Sequence, residues 1–141
     1  MKNLFPDEII LTTENFVVAQ DWEVPIPAFF ILSTKRKIRS ISEFTDEEAT
    51  EFGPLIKKVR QGMLVALGIE DVYFFQNEDT EHGFHLWMFP RYEWMREIGV
   101  KIESVRPIML AAQKLELTEE LMAEVKKSAS IMKDYFEGMT S

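Results

Sequence analysis

Apolar positions follow two rhythms along the chain. Short runs at 8–12 (EIILT), 15–20 (NFVVAQ) and 28–34 (AFFILST) are rich in β-branched and aromatic residues and predict strands. The stretch between the last two, DWEVPIP, carries two prolines that cannot sit in a central strand, so it predicts a turn or irregular connection. After the basic run KRKIR the rhythm changes. Thr45 with Glu48 three residues on forms a capping-box pattern, and apolar residues at 52, 55, 56, 59, 63, 64 and 67 follow at helical spacing. Gly53-Pro54 would kink the first turn or delay its start, and Gly68 is a natural stop.

Alternation returns in DVYFFQ (71–76) and GFHLWMFP (83–90), joined by the polar loop NEDTEH. Residues 103–137 predict two helices, with Ser104 as the cap of the first. Thr118, followed by Glu119 and Glu120, caps the second, whose stripe at 121, 122, 125, 129, 132 and 136 ends near Gly138. The order is strands, helix, strands, helices. It predicts an α+β domain on a mainly antiparallel sheet, with the C-terminal helices on it or on a partner chain.

Composition narrows the classes. The chain has 141 residues, one domain by length, and 46% of them are apolar. No run approaches the roughly 18 apolar residues of a membrane span. No export signal is visible at the N-terminus, so a cytoplasmic location is expected. Cysteine is absent, which excludes disulfides and thiolate metal sites. A net charge of −8 argues against nucleic acid or an anionic membrane as partner, though a local basic cluster can still take a small anion.

The only two histidines, His82 and His85, stand at and just before the last strand. On a strand Gly83, His85, Trp87 and Phe89 share one face, and Phe84, Leu86 and Met88 the other. A neutral imidazole can attack phosphorus near pH 7, provided its second nitrogen is held by a hydrogen bond and donors meet the phosphate oxygens. The bland reading of His85 is a half-buried, hydrogen-bonded strand histidine. No zinc site is expected, because a strand does not bring i and i+3 to one face and no third imidazole exists.

Residues 14–91 resemble a histidine triad (HIT) domain. "AQDWEVPIPAFFILSTKRKI" is similar to that family's strand, proline turn and strand leading into a basic stretch. "SISEFTDEEATEF" resembles its acidic, capped helix start, "FFQN" its strand ending in Asn, and "GFHLWMFPR" its signature of alternating histidines before Pro-Arg. Aligned on Pro90-Arg91, the three triad positions are Gly83, His85 and Trp87, so the triad is degenerate. The resemblance implies that His85 keeps the place of the nucleophile, which forms a nucleotidyl-histidine intermediate. Asp21 corresponds, with a slip of one residue, to the ribose-binding acid. Lys35, Arg36 and Arg91 would meet phosphate, Asn77 ribose or loop backbone, and Thr80 is the one hydroxyl left in a shortened loop. His82 would stand in for the lost first histidine, and Trp87 would stack on a base or fill the space of the third. Glu78, Asp79 and Glu81 would repel a polyphosphate unless the basic run or Mg²⁺ offsets them.

The expected architecture is therefore a HIT-like antiparallel sheet with one long helix over residues 1–100, extended by helices over 101–141. The expected activity is hydrolysis or transfer at the α-phosphate of a nucleoside phosphate or dinucleoside polyphosphate through His85. The alternative is a catalytically inactive nucleotide-binding or protein-interaction module. The resemblance also implies a homodimer, paired through the long helix and a sheet edge.

Overall fold

The computed structural model describes residues 3–139, and five strands form one antiparallel sheet in the order β1-β2-β3-β5-β4. These are β1 (Ile9–Thr12), β2 (Phe16–Gln20), β3 (Phe30–Thr34), β4 (Val72–Phe75) and β5 (His85–Pro90). All five lie where the apolar runs predict them. The β3–β5 register sets Ser33 opposite His85 and Ile31 opposite Trp87, and β4 sets Phe75 opposite Trp87 from the other side.

The long helix α1 (Asp46–Val65) starts directly after Thr45. Thr45 Oγ1 accepts from the Glu48 amide at 3.1 Å, and Glu48 Oε1 accepts from the Thr45 amide at 2.8 Å. Pro54 neither delays nor ends the helix but sits well inside it. Its missing N–H leaves the Thr50 carbonyl without an intrahelical donor, and Thr50 is exposed, so water can take that place. At the other end Gly68, with φ +68°, donates its N–H to the Leu64 carbonyl at 3.0 Å, the left-handed stop that glycine permits.

Two further helices follow, α2 (Val105–Gln113) and α3 (Glu119–Met139). Thr118 caps α3 by accepting from the Leu121 amide at 3.1 Å. Ser104 occupies the cap position of α2 but has helical dihedrals, φ −79° and ψ −14°, and its side chain does not cap. The hydroxyl instead donates to the Lys101 carbonyl at 2.6 Å and accepts from Arg91 Nη1 at 3.2 Å. α3 is described to Met139, so it reaches the expected end near Gly138.

The sheet separates two cores. On one face Phe30, Leu32, Leu86 and Met88 pack with Leu55, Val59 and Met63 of α1 and with Ala129, Met132 and Phe136 of α3. Phe29, Phe89 and Trp87 belong to the second core, which Val105, Ile108 and Ala112 of α2 cover together with Met95. Helical residues after 100 thus contribute to both. Gly62 lets α1 and α3 approach, since a Cβ there would lie 2.8 Å from Met132 Cε. Ser128 of α3 accepts from the buried Ala28 amide at 3.0 Å, tying the proline turn to the helix. No described helix is long and apolar enough to cross a membrane.

Candidate functional site

His85 opens β5, on the sheet face that carries Trp87 and Phe89. It is 9% exposed. Its Nδ1 stands 3.1 Å from the Gly83 carbonyl oxygen. A carbonyl only accepts, so Nδ1 carries the proton and Nε2 keeps the lone pair. Burial first, and then the neighbouring His82, pull the His85 pKa down, against a raising hydrogen bond to Gly83. The ring is therefore neutral at pH 7. Around it stand Trp22 at 5.7 Å between ring centroids, Trp87 at 5.7 Å and His82 at 6.0 Å.

Gly83 has φ +82°, and a Cβ on it would come 3.1 Å from the Ile38 carbonyl oxygen. Glycine is needed there on both counts. A histidine at this position would be strained and crowded, so the turn into β5 itself calls for glycine at 83.

In front of the His85 cage opens a cavity of about 370 Å³. Five of the residues singled out in the sequence line it: Asp21, Asn77, Thr80, His82 and Trp87. His85 itself does not line it; Trp22, His82 and Trp87 stand against both the ring and the cavity. Phe75 stacks on Trp87 at 5.6 Å with the rings 10° apart, forming a flat aromatic wall.

Asp21 is 5% exposed, and its Oδ2 accepts from the amides of Glu23 (3.1 Å) and Val24 (2.8 Å). That turn is what starts the DWEVPIP connection. Burial raises the Asp21 pKa from its ordinary 3.8 to about 6, opposed by the two amide hydrogen bonds; the nearby Glu23 charge raises it and the Trp87 indole N–H lowers it. Glu23 also lines the cavity, and its Oε1 is buried with no hydrogen-bond partner among the described residues.

The basic residues do not converge on the cavity. Lys35 is exposed and stands outside its lining. Arg36 is clamped by both Glu48 oxygens, at 3.0 and 2.8 Å, and also donates to the Glu43 carbonyl. This pair holds Glu48 down at about 2. Arg39 pairs with Glu78 at 3.7 Å, and none of Glu78, Asp79 and Glu81 lines the cavity. Arg91 donates to the Gly99 carbonyl at 2.7 Å, lies over the Tyr73 ring at 4.9 Å, and lines a separate hollow of about 830 Å³. In that hollow Arg60 is spent on the Ile69 and Glu70 carbonyls and Arg96 lies 3.3 Å from Glu93, so the larger space offers few free cationic donors.

Several lining residues carried no signal in the sequence. Trp22 and Glu23 read as part of a turn, and Ile102, Val105, Arg106 and Met109 as a packing helix. The WE step beside the Asp could have been noticed. The helix face could not, because nothing local says which side of the sheet α2 covers. Among the described residues, no three His, Asp or Glu side chains gather to hold a metal ion.

No protein-family model matches the sequence, and neither does any curated protein. Solved structures do match in fold. A zinc-bound histidine triad family protein of Mycobacterium smegmatis aligns with TM-score 0.63 at 13% identity, over 96% of this chain and 87% of that one. Diadenosine triphosphate hydrolase of Plasmodium falciparum aligns with TM-score 0.66 at 14% identity, over 95% and 79%. A hypothetical histidine triad nucleotide-binding protein of Sulfolobus tokodaii aligns with TM-score 0.64 at 12% identity, over 97% and 87%. With TM-scores of 0.63–0.66 over 95–97% of its length, the chain has the fold of the histidine triad family.

Proposed function

We propose that this protein binds a nucleoside or nucleotide in the cavity lined by Asp21, Trp22, His82 and Trp87. The observation that carries the reading is the convergence there of a flat aromatic wall, Phe75 on Trp87, with the buried Asp21 carboxylate. A base needs an apolar, stackable surface, and a ribose needs an acceptor for its hydroxyls. The volume, about 370 Å³, suits a mononucleotide. Fold relatives that bear the names of a nucleotide-binding protein and a dinucleotide hydrolase point the same way. The protein is soluble in this reading, acts in the cytoplasm, and pairs as a homodimer through β4, whose outer edge has no neighbour in the sheet.

Turnover through His85 is the second reading, favoured by one observation: Nδ1 is held by Gly83 and Nε2 keeps its lone pair. In that chemistry Nε2 attacks the α-phosphorus, the bond to the leaving oxygen breaks, and water later frees the nucleotide from the histidine. Against it stand the 9% exposure of the ring and the engagement of Arg36 and Arg91 within the fold. Thermal unfolding with AMP, GMP and diadenosine polyphosphates tests binding, because a ligand of the folded state must raise the midpoint. A panel with no shift at millimolar concentration overturns the reading. Mass spectrometry of the mixtures separates the second: binding without product and without a nucleotidyl adduct on His85 leaves a binder.

A further inference from the structure

We propose that Arg106 is the phosphate-binding residue of the cavity, so that α2 completes the site; this rests on the nucleotide reading above. The charges around the cavity are uneven. Among the described residues on its walls, Asp21 and Glu23 supply two carboxylates, His82 is the one imidazole, and Arg106 is the single Lys or Arg side chain. A phosphate near the two carboxylates is repelled, and in a partly desolvated site that repulsion is weakly screened. A ligand carrying both sugar hydroxyls and a phosphate therefore has one favourable orientation, with its anion turned towards Arg106.

The other arginines that the sequence offers are committed. Arg36 is held by Glu48, Arg39 faces Glu78, Arg60 serves two carbonyls, and Arg91 is divided between Gly99 and Ser104. The Arg106 side chain forms no ion pair or hydrogen bond among the described residues and is exposed. Its backbone, by contrast, is fixed. Val105 before it is 7% exposed, and Ile108 in the same turn is fully buried in the second core. A guanidinium with no partner in the fold is available to an oxyanion, and its planar fork matches two phosphate oxygens at once. No phosphate contact is left to the two flanking triad positions, since Gly83 has no side chain and Trp87 belongs to the aromatic wall.

The test is calorimetric titration of adenosine, AMP, guanosine and GMP into wild type, Arg106→Gln and Arg106→Lys, with thermal unfolding as a check on folding. Wild type is expected to bind a monophosphate about tenfold more tightly than its nucleoside, the scale of one charge-assisted contact. Arg106→Gln is expected to erase that difference while leaving nucleoside affinity and unfolding midpoint unchanged. Arg106→Lys restores part of it, because the charge returns without the fork. If Arg106→Gln keeps the full preference for the monophosphate, this assignment is overturned while nucleotide binding stands. If neither nucleoside nor monophosphate binds wild type, both fall.

Discussion

Asp21 is the residue on which structure and site meet. It makes the turn by accepting two backbone amides, and it brings a buried carboxylate to the cavity wall. Its pKa near 6, against an ordinary 3.8, means that the folded chain binds this proton more readily than the unfolded one. Stability therefore falls as pH rises from 3.8 to about 6 and stays lower above that. Asp21→Asn keeps an acceptor oxygen for the turn and removes the charge. It is expected to be more stable than wild type at pH 7 by up to about 3 kcal/mol, the value of roughly two pKa steps. The gain should vanish below about pH 4, as urea titrations at several pH values would reveal, and ribose binding should weaken at the same time. A variant less stable than wild type at every pH would mean that the carboxylate is needed for the turn itself. His82 and Trp87 were legible in the sequence because they stand beside the signature strand. Arg106 was not, because its role depends on a helix crossing the sheet more than fifteen residues later in the chain.

At the scale of elements, alternation and capping chemistry located all five strands and the start of α1, since each depends on neighbours within four residues. Misreadings fell where a distant partner decides. Ser104 turns from the cap of α2 to Lys101 and Arg91, and Pro54 is carried inside α1 by the packing of that helix on the sheet. Gly62 has a comparable role that periodicity does not disclose: it sets how closely α1 and α3 lie. A Cβ there meets Met132 Cε at 2.8 Å and the Tyr135 ring at 3.1 Å. Gly62→Leu is expected to cost roughly 1–3 kcal/mol of stability by forcing the helices apart. Ligand affinity should be kept, since α2 and the cavity lie on the opposite face. Denaturant unfolding and calorimetry would measure the two separately, and a loss of binding at unchanged stability would contradict the separation of the cores.

For the molecule as a whole, the fold was legible and the chemistry only partly so. The antiparallel sheet and the two faces of β5 follow from pattern, and structural relatives align with nearly the whole chain at sequence identities of 12–14%. The charge distribution did not follow, because two arginines of the basic run, Arg36 and Arg39, are taken up by Glu48 and Glu78 in three dimensions. The open sheet has two edge strands, β1 and β4. On β4, Phe74 is 44% exposed along an outer edge with no neighbour in the sheet. Sedimentation is expected to report a dimer at micromolar concentration and a monomer for Phe74→Lys; a wild-type monomer would leave that edge without a partner copy.

Two of the three tryptophans, Trp22 and Trp87, stand on the cavity wall, so their emission reports directly on whether a base enters it. Titrating AMP or GMP into the protein should quench that emission to a plateau, and Trp87→Leu should remove most of the change. A straight, unsaturating response, or an identical curve from the Trp87→Leu chain, would place the nucleotide elsewhere or nowhere.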